Sequence, residues 1–268
     1  FISYTWIGKP SMSNWLRVNN PTMKEEIFTQ SSIATSVNPM TLSGTVAKTG
    51  LFLLSTVIFA AISYAVTAAQ PGIGLVAAIA GAIGGLVIAL IINFKRELAA
   101  PLGFVYTAFS GAFLGAISFI YSMQMKGTQY AGIVPMAVMG TLIVFGVMLA
   151  LYASRIIRVG QTFRTVVIGA TMAVGIFYLG SFAASFIWPG AVANLPVFTS
   201  GPIGIVFSLA MIVLAAMNLA LDFDLVEQGV ENRMPKHMEW FAAFGILVTL
   251  VWLYIEMLRL IRKLAGNR

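Results

Sequence analysis

Seven predominantly apolar stretches, near 48–69, 72–94, 101–123, 132–153, 163–188, 202–228 and 238–262, constrain this chain more than any other feature. Each is long enough for a helix to cross the hydrocarbon of a bilayer, which takes about 20 residues. None shows the alternation of a barrel strand, and backbone groups in lipid must find their hydrogen bonds within the segment. Only 9% of the residues are charged, against about 25% in soluble domains. The pattern predicts an all-α integral membrane protein, a seven-transmembrane-helix bundle over 47–264. Turn residues such as Gln70-Pro71-Gly72 and Trp188-Pro189-Gly190 separate the spans. Residues 1–46 are rich in Ser, Thr, Asn and Pro and read as a polar, mobile tail. Residues 1–30 carry no charged-then-apolar signal pattern. Residues 265–268 form a short basic C-terminus.

The absence of cysteine excludes disulfides and thiolate chemistry. A single histidine, His237, excludes sites that need two imidazoles. The net charge of +7 reflects orientation in the membrane rather than nucleic-acid binding, because basic residues concentrate on cytoplasmic loops. Lys9, Arg17, Lys24, Lys48, Lys95, Arg96, Arg155, Arg158, Arg164, Arg233 and Lys236 fall on the side of the N-terminus. The other side has Lys126 in its loops and Arg262, Lys263 and Arg268 in the C-terminal tail. This predicts a cytoplasmic N-terminus. The basic tail leaves two placements of the C-terminus open: outside, or inside after a last segment that enters shallowly and returns.

Small residues recur as Gly81-x-x-x-Gly85 and Gly111-x-x-x-Gly115, a spacing that lets helix backbones approach closely. Enzyme chemistry is not expected. Ser110-Gly111 and Ser200-Gly201 lack an evident base, and Asp222 and Asp224 point about 200° apart around one helix.

Of nine acidic residues, Glu25, Glu26, Glu97, Glu227, Glu231 and Glu239 read as tail or loop positions. Glu256 lies well inside the last apolar run and Asp222 near the end of the sixth. Ionisable groups at membrane depth cost roughly 2.5–3.5 kcal/mol on insertion scales and usually face the bundle interior or a water-filled cavity. Two readings stay open for each. Glu256 either pairs with Arg259 at i+3 or meets Asp222. Asp222 either closes its helix in solvent or, if the apolar face of Leu221, Leu225, Val226 and Val230 continues that helix, lies below the surface. Two carboxylates that meet share a proton, which makes a pH-sensitive element.

The segments Leu221-Asp222-Phe223, Leu253-Tyr254-Ile255-Glu256-Met257-Leu258-Arg259-Leu260 and Gly111-Ala112-Phe113-Leu114-Gly115-Ala116-Ile117-Ser118 resemble the Bax inhibitor-1 family of seven-helix membrane proteins. Asn38-Pro39-Met40-Thr41-Leu42, Lys48-Thr49-Gly50 and Met238-Glu239-Trp240-Phe241-Ala242-Ala243-Phe244-Gly245 are similar to a bacterial subgroup with a longer loop before the last helix. The likeness covers about residues 38–264. It implies a pH-regulated calcium leak in a bacterial inner membrane, controlled by acids on the sixth and seventh helices. Asp222 matches the sixth-helix aspartate, and Glu256 stands where aspartate is more usual. Lys95 or Arg96 corresponds to a basic latch residue. Arg259 stands in place of an asparagine, and Ser110 in place of a glutamate.

Two functional classes follow. One is a cation leak gated by Asp222 and Glu256, with Lys95, Arg96 or Arg259 as counter-charge. The other is a non-conducting scaffold or regulator in membrane-protein quality control or stress response, suggested by the scarcity of polar residues along the spans. The expected partners are the bilayer, calcium or other cations and other membrane proteins. No cofactor is expected beyond Ca²⁺ as the transported ion, and whether a metal site exists stays open.

Overall fold

The computed structural model describes residues 38–266 and contains seven helices long and apolar enough to span a membrane. They are α1 (Leu42–Ala69), α2 (Pro71–Phe94), α3 (Ala99–Gln124), α4 (Ile133–Ala153), α5 (Gln161–Ile187), α6 (Pro202–Glu231) and α7 (Met238–Ala265). Short helical turns at Arg96–Leu98 and Pro189–Ala193 precede α3 and follow α5. The described residues hold no strand, only an isolated bridge between Pro39 and Pro235. Of the expected N-terminal tail, residues 1–37 lie outside the described residues, as do 267 and 268 of the C-terminus.

The helix ends follow local chemistry. α1 starts at Leu42, ahead of the expected border at 47, because the Thr41 hydroxyl accepts the Gly44 amide at 3.1 Å and satisfies a free donor of the first turn. Gln70 alone separates α1 from α2, whose first residue is Pro71. Proline is suited to that place, having no amide hydrogen to leave unbonded. α4 and α6 both close with a reverse turn centred on arginine. Arg155 and Arg233 adopt φ of 58° and 49°. The amides of Ile156 and Met234 reach back to the carbonyls of Leu151 at 3.1 Å and Gly229 at 2.9 Å. Because α6 runs nine residues past Asp222 to Glu231, only residues 232–237 connect it to α7. The connection before the last helix is six residues long.

α7 is the hub, packed against α1, α3, α4 and α6. It is one unbroken helix of 28 residues, and its far end meets the connection between α5 and α6. The shallow re-entry left open above is not adopted. Two of the tail's basic side chains belong to α7 and pack on the bundle: Arg262, half-buried, lies over the Tyr121 ring, and Lys263 bonds carbonyl oxygens of Val197 and Gly204.

The α1–α2–α3 side is built on small residues. A Cβ on Gly111 would approach the Thr56 carbonyl oxygen at 2.9 Å, and one on Gly115 would overlap that of Ala60, both on α1. On α2, Gly81 faces the α3 backbone at Phe109 and Phe113; Gly85 is looser, its nearest neighbour being the Tyr106 ring, at 3.7 Å. The opposite edge differs. α5 packs mainly on α6, and Val167 is its only fully buried residue.

Candidate functional site

Asp222 and Glu256 both sit at the α6–α7 side of the bundle but do not meet. Asp222 accepts the Thr249 hydroxyl at 2.6 Å and lies beside Gly245. Thr249 and Glu256 are seven residues apart on α7, about 10 Å along the axis. The shared proton expected for a meeting pair therefore has no geometric basis in this conformation. Asp222 does not end its helix, and it is half-buried rather than free in solvent.

Glu256 is 1% exposed. Its Oε1 accepts the Arg259 guanidinium at 2.8 Å and the Tyr178 hydroxyl of α5 at 3.0 Å. The guanidinium also lies 4.8 Å from the centre of the Tyr178 ring. Buried ions persist when paired and hydrogen-bonded, and this triad supplies both. It does so incompletely, for Oε2 of Glu256 is buried without a partner.

Lys95 and Arg96 stand at the other end of α7 from Glu256. Lys95 is exposed at the end of α2 and Arg96 lies 5.1 Å from the centre of the Phe241 ring. Neither makes an ion pair among the described residues. The latch implied by the resemblance is not formed by either residue; Arg259 is the counter-charge that reaches an acid.

Three features were missed in the sequence. Glu239, read as a loop residue, lies in the first turn of α7 with its side chain fully buried. It pairs with Lys48 of α1 and accepts the Thr41 amide and hydroxyl at 2.8 and 2.9 Å. Its charge also suits the positive end of the α7 dipole. Glu227 likewise belongs to α6, where it accepts the Tyr152 hydroxyl and pairs with Arg155.

The second feature is a polar seam. Arg164, Thr171 and Tyr178 recur every seven residues on α5, so they share one face of the helix. Arg164 pairs with Asp224 at 2.6 Å, Thr171 accepts the Asn218 amide at 2.8 Å and Tyr178 donates to Glu256. Over Arg164 to Tyr178 the seam covers about 21 Å along the axis, much of a hydrocarbon core about 30 Å thick.

Beyond the seam lies the third feature, Lys263, 2% exposed. Its ammonium donates to the carbonyls of Val197 and Gly204 at 2.7 and 2.9 Å and to the Ser208 hydroxyl at 2.8 Å. These contacts fasten the α5–α6 connection over the end of α7. Among the described residues, no three His, Asp or Glu side chains gather into a metal cage. Calcium takes 6–8 oxygens, more than the seam's separate carboxylates supply at any one point.

No curated protein and no solved structure matches the chain. The family model described as Bax inhibitor 1 like matches residues 20–266, which takes in every helix, the acids of α6 and α7 and the seam between them. The protein belongs to the Bax inhibitor 1 like family.

Proposed function

We propose that the protein is a pH-sensitive cation leak, with calcium as its ion, in a bacterial inner membrane with the N-terminus cytoplasmic. The observation that carries this reading is the polar seam between α5 and the α6–α7 pair, which runs from Arg164–Asp224 through Thr171–Asn218 to Tyr178–Glu256. Such a row at membrane depth is costly unless it serves a path. The weak packing of α5 makes it the element that opens. Glu256, held between Arg259 and Tyr178, is the acid that gates the seam. Asp222 with Thr249 forms a second, separate carboxylate near the path.

Calcium flux into liposomes containing the purified protein tests this. Wild type is expected to conduct in a pH-dependent way, and Glu256→Gln to lose that dependence. The absence of cysteine permits a second readout from single cysteines at 164, 171 and 178. They should react with a membrane-impermeant thiol reagent under conducting conditions. No flux at any pH, with all three positions unreactive, would favour the scaffold reading. The apolar outer face of α5, with Met172 and Ile176 exposed, would then be the surface that meets another membrane protein.

A further inference from the structure

α1 and α4 flank α7 without packing against each other, and a cleft separates them. Two cavities of about 680 and 660 Å³ occupy it, one above the other, with Leu53 and Phe145 lining both. Its walls are almost wholly apolar. The cavity nearer the N-terminal side runs along α1 from Leu42 to Leu53, about 16 Å. That is about half of a hydrocarbon core 30 Å thick, the depth of one leaflet.

The Thr45 and Thr49 hydroxyls on its α1 wall are spent on the backbone carbonyls of Thr41 and Thr45, and the other polar side chains of this cavity gather at its outer lip. Tyr152 and Glu227 bond each other there, and Glu231 lies beside them. Aromatic hydroxyls of this kind favour the headgroup level of a membrane. Glu231 is exposed and makes no ion pair among the described residues. Arg155, which pairs with Glu227, stands next to the lip with most of its side chain exposed. The lip therefore offers a carboxylate to an ammonium and a guanidinium to a phosphate.

We propose that this cleft is a binding site for one phospholipid with an ammonium headgroup. An acyl chain lies along Leu42 to Leu53, the phosphate faces Arg155 and the ammonium faces Glu231. A second copy of the chain is a poorer occupant. A twofold axis along the membrane normal would set the acidic lip close to its own copy, and like charges disfavour that contact.

Gly50 allows a direct test. It lines the cavity, and a Cβ built there finds nothing within 4 Å, so a larger side chain fills the cleft without displacing backbone. The full chain is equilibrated with vesicles of equal phosphatidylethanolamine and phosphatidylglycerol, extracted in mild detergent and weighed intact by native mass spectrometry. Wild type should retain one phosphatidylethanolamine, preferred about fivefold over phosphatidylglycerol, the effect of roughly one charge near the surface. Gly50→Phe should lose the lipid. Glu231→Lys, at an exposed helix end, should reverse the headgroup preference whether or not Gly50→Phe folds. A folded Gly50→Phe that keeps the lipid, equal retention of the two lipids by wild type, or a lipid-free dimer would each overturn the proposal.

Discussion

The contact of α3 on α1 and the contact of α5 on α6 and α7 solve the same problem in opposite ways. At Gly111 and Gly115, backbone meets backbone with no room for a methyl group. Association in a membrane gains little from excluding water, so close van der Waals contact between small residues supplies the adhesion. Along α5 the adhesion comes from three polar links at seven-residue spacing and from the Phe177 and Tyr178 rings against Phe207 of α6, while most of the helix faces outward. Such links are worth only about 0.6 kcal/mol on average in membrane proteins. The first contact is tight, and the second is the one that opens in the proposed leak.

Substitution should break the two contacts unequally. Gly115→Leu is expected to have the largest effect, because the new side chain must push α1 away from α3. We expect loss of the folded species on size-exclusion chromatography, whereas Gly169→Leu on α5, where nothing lies within 4 Å, should elute as wild type.

Arg259→Leu comes next. Removing the counter-charge leaves Glu256 buried and ionic, which should cost up to about 3 kcal/mol, the lower bound for a broken buried pair. The residual exposure of the arginine moderates the loss. Adding Glu256→Gln to it should recover part of that loss in thermal unfolding. Failure to recover would separate Glu256 from Arg259.

The two acids themselves give a sharper contrast. Because Asp222 and Glu256 use different partners, Thr249 and Arg259, nearly three turns apart on α7, Asp222→Asn and Glu256→Gln should add within about 0.5 kcal/mol. A double variant indistinguishable from either single variant would mean that the carboxylates meet in another conformation. Thr171→Val should cost about 0.6 kcal/mol, one interhelical hydrogen bond, yet raise flux by loosening α5. Comparable in size and opposite in sign is Arg233→Gly, expected to stabilise by about 0.5 kcal/mol, because glycine adopts the positive φ at the end of α6 without strain.

The seven spans and the small-residue motifs were readable in the chain because length, hydropathy and side-chain size are local properties. The acids were readable only in part. Glu256 and Asp222 stood out by lying in apolar runs, yet Glu239 was passed over, since its position at the edge of a run looks like a loop. Its partners, Thr41 and Lys48, are 198 and 191 residues away. One available signal went unused: Arg164, Thr171 and Tyr178 repeat every seven residues in an otherwise apolar helix, a period that places them on one face.

By itself, then, the sequence determined that the chain crosses a bilayer seven times and that few ionisable groups go with it, because a buried apolar run and a costly charge are recognisable without knowing their neighbours. Only the tertiary structure decided which charge meets which. It set Glu256 against Arg259 and Tyr178, Asp222 against Thr249, and Glu239 against Lys48. The physical reason is that a carboxylate on a helix can be satisfied either one turn away or across an interface. Helix packing sets the depth and rotation that choose between them.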